Sequence, residues 1–160
     1  MKVIFLDIDG VLTSEKSEQI PWCDIDLYSL ELLMKFIRDN DIKLIITSDR
    51  RGLNIRSTVA NFKYHSTLHV LNDFIVGVTP FTVDRSRSRE IQLLLDGDWK
   101  TLYEQNYISE QLYNDGIDNY IILDDIDLSN EFNENHFIYV DWSTGLRSDH
   151  INKAKEIFEK

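Results

Sequence analysis

The stretch FLDIDGVLTS, residues 5–14, closes a run of four apolar residues, Val3 to Leu6, with two aspartates one residue apart and then a glycine. An unpaired carboxylate inside a strand is costly. Asp7 and Asp9 therefore belong at the strand's exposed end, either as a solvated turn or as groups held there for chemistry. Residues i and i+2 of an extended segment point the same way, so the two acids can address one substrate. Gly10 lets the chain turn sharply away and leaves room for a ligand.

Working outward, four more apolar, β-branched runs read as strands: 42–47, 73–78, 119–125 and 136–141, joining 2–7. Between them, 26–40 carries Leu30, Leu33, Met34 and Ile37 at helical spacing, with Asp26 as cap. Residues 53–62, 87–95 and most of 99–114 read as helices too. So does 148–160, with Ser148 as its capping residue and Ile151, Ala154 and Ile157 or Phe158 facing inward. Alternating strands and helices predict an α/β fold, a Rossmann-like three-layer sandwich with a parallel sheet of about five strands. Pro21 and Pro80 mark loops, and no repeat or linker interrupts the chain, so 1–160 is expected to form one domain.

The net charge of −11, from 28 acidic and 17 basic residues, disfavours broad binding to nucleic acid or an anionic membrane. The arginines nevertheless cluster, at 50, 51 and 56 and at 85, 87 and 89. Cys23 is the one cysteine, which excludes an intramolecular disulfide and fits a reducing compartment. Neither a secretory leader nor a membrane-length apolar run is visible, so a cytoplasmic protein without a membrane partner is expected.

In sheets of this kind ligands bind beyond the carboxyl ends of the strands. Here those ends carry Asp7 and Asp9; Thr47, Ser48 and Asp49; Asp124, Asp125 and Asp127; and Asp141. Converging carboxylates repel one another unless a cation sits among them, and an all-oxygen set suits Mg²⁺. Asp127 reads as a turn residue. Arg50 and Arg51 lie close enough to line the site or to form salt bridges on an acidic surface. His65 and His69, four apart, read as structural or solvent-facing, Trp22, Trp99 and Trp142 as packing residues, and Cys23 as inert.

Three motifs together resemble the haloacid dehalogenase (HAD) superfamily of phosphohydrolases: Asp7-Ile8-Asp9-Gly10-Val11, Leu44-Ile45-Ile46-Thr47 and Ile121-Ile122-Leu123-Asp124-Asp125. More narrowly, GVTP (77–80), an arginine opening a helix that reads EIQLLL, then ILDD and DWSTGL (141–146) look like a small bacterial and phage branch. Domains of that branch also occur fused within RNA-repair proteins. The resemblance implies strand order 5-4-1-2-3 with the site over strand 1. It also implies a Mg²⁺-dependent phosphatase in which Asp7 is the nucleophile and Asp9 the general acid/base. The metal would be held by Asp7, the Asp9 backbone carbonyl and Asp125, with Asp124 close by. Thr47, or Ser48 in its place, would bind the phosphoryl group. The family's usual lysine before the fourth strand is missing here. Of Arg85, Arg87 and Arg89, likeness favours Arg87 as its replacement, with the phosphate-gripping charge retained.

Neither spacing between motifs fits a large cap, only a flap at roughly 11–24. An open site of that kind admits a phosphorylated small molecule, nucleic-acid end or protein, unless a homo-oligomer closes it. Two rivals stand beside this reading. A receiver-like signalling domain needs an aspartate ending the third strand, which IVGVTP (75–80) lacks. A degenerate HAD fold could bind without turnover.

Overall fold

The computed structural model describes residues 1–160. Its strands are β1 (Lys2–Leu6), β2 (Ile42–Ile46), β3 (Ile75–Val78), β4 (Asn119–Asp124) and β5 (Phe137–Tyr139), all parallel in the order β3-β2-β1-β4-β5. This is the expected 5-4-1-2-3 order with β1 at the centre. Each strand is shorter than its apolar run. Asp73 and Phe74, read as the start of β3, instead finish a 3₁₀ segment, Leu68–Phe74.

Alternate strand residues face opposite sides of the sheet, and two apolar layers result. Ile4, Leu6, Leu44, Ile46, Ile121 and Leu123 pack under α1 (Leu27–Asp39), α2 (Ile55–Lys63) and α6 (Ser148–Glu159). Val3, Phe5, Ile45 and Ile122 pack under α3 (Arg87–Asp96), α4 (Trp99–Glu104) and α5 (Glu110–Asp115). Leu33 and Ile37 of α1 are fully buried; truncating either to alanine costs about 2–5 kcal/mol.

Caps set the helix boundaries. Asp26 accepts a hydrogen bond from the Ser29 N–H at the start of α1, as its position in the sequence predicts. The single helix expected over 99–114 is two. Asn106 takes a left-handed conformation (φ +63°), Ile108 forms a bridge to Gly77 of β3, and Ser109 caps α5. Ser148 is the first residue of α6 rather than its cap; the His150 ring accepts from the Arg147 N–H there instead.

Residues 12–26 leave the sheet edge and return, closed by a Thr13–Ile25 antiparallel bridge around a 3₁₀ turn, Ser17–Gln19. Between Thr47 and Arg87 the chain forms α2, the 3₁₀ segment and β3, so no large cap covers the strand ends. Trp99 packs against the α3–α5 layer, its indole N–H bonded to the Leu94 carbonyl. Trp22, at 84% exposure, lies largely in solvent, contrary to the packing reading of the sequence, and Trp142, at 41%, is only partly covered. No helix is long and apolar enough to cross a membrane.

Candidate active site

Strand register assembles the site. Leu6 pairs with Ile46 on one side and Leu123 on the other, and Ile46 pairs with Val78. The next residue of each strand therefore falls in one row, Thr79–Thr47–Asp7–Asp124, on the sheet face covered by α3. The Asp7 N–H bonds to the Leu123 carbonyl at 3.0 Å, Thr47 N–H to Leu6 at 3.0 Å and Thr79 N–H to Ile46 at 3.1 Å. All four side chains are buried, and the Thr79 hydroxyl lies 3.2 Å from that of Thr47. Ser48 is buried as well, but its hydroxyl accepts from the Arg50 N–H in the turn that follows.

Among the three arginines near the start of α3, geometry separates one. The Ser86 hydroxyl caps the helix, which puts Arg87 in its first turn with Nη1 2.6 Å from Asp124 Oδ2 and 3.4 Å from Asp7 Oδ1. Arg85, with φ +55°, points toward Asp49 at 3.4 Å, and Arg89 bonds Asp84 at 2.9 Å; both are largely exposed.

The Asp7, Asp124 and Asp125 carboxylates each bring an oxygen within 4.8 Å of the others. Gly10 makes this approach possible: it has φ +87°, and a side chain there would fall inside the Asp125 carboxylate. Burial, then the facing Asp124, push the Asp7 carboxyl up to about 9, against the pull of Arg87. Burial raises Asp124 too. Three acids share one guanidinium, a crowding that holds protons on the cluster and that a cation would relieve, and the donors are all hard oxygens. The cluster therefore fits a divalent cation such as Mg²⁺.

Asp9 does not continue the strand direction of Asp7. The Ile8 carbonyl accepts from the N–H groups of Val11, Leu12 and Thr13, so the chain is already turning at Asp9. Its side chain is half exposed, lies outside the three-acid cluster and meets Arg50 at 2.7 Å. Asp127 caps a turn by accepting from the Ser129 N–H, as expected. Asp141 likewise accepts from the Ser143 N–H. The His65 Nδ1 accepts from the Leu68 N–H in a local turn, a structural use.

Behind the row lies a scaffold that the sequence does not announce. Arg51 is buried and distributes its donors over the carbonyls of Thr47, Ser48, Thr79 and Pro80 and the carboxylate of Glu90, 2.9 Å away. The Glu90 carboxylate also accepts from the Thr82 N–H. This ties the ends of β2 and β3 to the first turn of α3, and hence to Arg87. Thr79 had a signal, being the first polar residue after β3 as Thr47 is after β2. Arg51 is placed near the site by its closeness to β2, but its buried role is not, and Glu90 has no signal because it reads as an ordinary surface charge. An open cavity of about 960 Å³, lined in part by Asp125, Phe132, Tyr139 and Lys153, adjoins the acidic cluster.

A central strand and its neighbour ending in acids, a threonine ending the next strand and a cation opening the covering helix define a HAD-type α/β domain. A family model described as the HAD domain in Swiss Army Knife RNA repair proteins matches residues 3–151, and the chain belongs to that family. Searches of curated proteins and of solved structures give no match.

Proposed function

We propose that this chain is a metal-dependent phosphatase that hydrolyses a phosphomonoester through an aspartyl-phosphate on Asp7. One observation carries the reading: a buried Asp7, flanked by Asp124 and Asp125, meets the guanidinium of Arg87 at the carboxyl end of the central strand. Family membership supports phosphohydrolase-type chemistry.

In this reading an Asp7 oxygen attacks phosphorus in line, the bond from phosphorus to the leaving oxygen breaks, and Asp9 gives that oxygen a proton. Asp9 then takes a proton from the water that attacks the aspartyl-phosphate. Inorganic phosphate leaves and Asp7 is restored. Thr47 and Arg87 hold the phosphoryl oxygens and stabilise charge in the transition state, with Ser48 as the alternative hydroxyl. The divalent cation, Mg²⁺ in this proposal, would be held by Asp7, Asp124, Asp125 and the Asp9 carbonyl and would shield the attacking carboxylate from the anionic phosphate.

The absence of a large cap favours a bulky substrate, and the family's description with RNA repair puts a phosphorylated RNA end first among candidates, ahead of small-molecule and protein phosphates. The lone Cys23 favours a reducing, cytoplasmic setting. The test is phosphate release from p-nitrophenyl phosphate, nucleotides, sugar phosphates and phosphorylated RNA ends, with Mg²⁺ or EDTA. Turnover that requires both Mg²⁺ and Asp7 is expected; turnover that survives EDTA or Asp7→Asn contradicts the reading. The 2.6 Å Arg87–Asp124 ion pair favours a second one, a binding module in which Arg87 stays engaged with the acids and no turnover occurs.

A further inference from the structure

Asp9, the acid/base of the proposed reaction, is gripped from the side. Arg50 Nε lies 3.0 Å from its Oδ1 and 3.2 Å from its Oδ2, and Nη2 lies 2.7 Å from Oδ1. The same Nη2 also bonds Asp24. Arg50 is itself fixed, since its N–H donates to the Ser48 hydroxyl directly after β2. Asp24 sits just before Ile25, which closes the 12–26 excursion, and its carbonyl accepts from the Ser17 hydroxyl at 2.6 Å. The Arg50 hydrogen bond holds the Asp24 carboxyl below its ordinary range, so this second contact is an ion pair at neutral pH.

A half-exposed aspartate in a turn has several rotamers open to it, whereas proton transfer requires one placement within hydrogen-bond reach of the moving proton. A planar guanidinium fork selects one orientation of the carboxylate plane. Here Oδ1 takes two of the contacts and Oδ2 only the longest, which leaves Oδ2 as the oxygen available for proton transfer.

We propose that Arg50 is a positioning residue for Asp9 and that Asp24, from the flap, positions Arg50 in turn. This rests on the phosphatase reading, and it ties the placement of the flap to acid/base competence. Without Arg50, delivery of the proton to the leaving oxygen suffers, whereas attack by Asp7 does not.

The test compares phenyl phosphate with p-nitrophenyl phosphate, which have similar shapes, the second leaving readily without a proton. Arg50→Gln is expected to lower kcat/KM for phenyl phosphate by about ten- to a hundredfold, and for p-nitrophenyl phosphate by less than about threefold. Asp24→Asn is expected to show the same pattern, more weakly, and Arg50→Lys to recover part of the loss. Equal losses on both substrates, or none, overturn the proposal. Crystal structures of wild type and Arg50→Gln give a readout independent of turnover: Asp9 should leave its position in the variant, and an unmoved Asp9 overturns the proposal. Should wild type hydrolyse neither ester nor any nucleotide, sugar phosphate or phosphorylated RNA end, and trap no beryllofluoride, the phosphatase reading falls, while the pair of structures still decides the positioning.

Discussion

Asp7 and Asp9 stand two residues apart in one motif, yet the fold gives them opposite surroundings. Asp7 is 3% exposed, in register between Thr47 and Asp124, and its carboxyl is pushed up by burial and by a like charge. Asp9 lies in a turn at the rim, its side chain 47% exposed and paired with Arg50. The same residue type thus becomes a shielded group beside a cation site in one case and a solvent-reaching group under an arginine fork in the other. The contrast divides the labour of the proposed reaction: attack requires exclusion of water, and proton transfer requires access to it.

The strongest way to break this comparison is to neutralise each acid separately. Asp7→Asn is expected to abolish turnover outright. Asp9→Asn should cost about 10²- to 10⁴-fold, the range of general acid–base catalysis, while leaving metal binding intact. Equal effects on turnover and on Mg²⁺ affinity, the latter read by calorimetry, would erase the distinction. Next comes the arginine series. Arg87→Ala should lower kcat/KM by about 10²- to 10³-fold, as loss of a transition-state charge partner does. Arg85→Ala and Arg89→Ala, whose partners are exposed acids, should stay within about twofold of wild type by the same assay.

Gly10→Ala sharpens the comparison at the backbone between the two acids. The added methyl group displaces Asp125 and strains a left-handed residue. Mg²⁺ affinity should fall by about tenfold or more, with a melting temperature lower by several degrees, about 1–2 kcal/mol.

The comparison also extends to pH dependence. A carboxyl whose folded-state pKa is raised binds its proton more tightly in the folded chain than in the unfolded one, so its contribution is fully present at low pH and is lost as pH rises. With Asp7 raised from 3.8 to about 9, the metal-free protein should lose stability from about pH 4 to about pH 9. Asp24, held low by Arg50, acts in the opposite sense: its contribution is present at neutral pH and lost on acidification. Urea midpoints in EDTA should therefore fall toward alkaline pH, and Mg²⁺ or Asp7→Asn should flatten the slope.

The sheet and the acidic half of the site were legible in the sequence for a physical reason. Strands buried on both faces leave continuous apolar runs, and the residue that ends each run is the one the register brings to the site. Asp7, Thr47 and Asp124 can be read in that way, and a resemblance singles out Arg87 among the three arginines near the helix start. Legibility failed where distant segments decide. Asn106 breaks the expected 99–114 helix because Ile108 bridges to Gly77. The Arg51–Glu90 pair joins residues far apart, and nothing in the sequence pairs them, since Glu90 looks like a solvated charge. The Asp9–Arg50–Asp24 chain depends on how the flap returns. Trp22 misled because a large aromatic residue is ordinarily read as core, and here it stands on an exposed loop.

The most direct test of the central claim is ¹⁹F NMR of the protein with beryllofluoride, a mimic of a phosphoryl group on a carboxylate. With Mg²⁺ present, wild type should give a bound resonance that EDTA abolishes and that Asp7→Asn never shows. A bound resonance that persists in Asp7→Asn, or none in wild type with Mg²⁺, would contradict Asp7 as the phosphoryl acceptor.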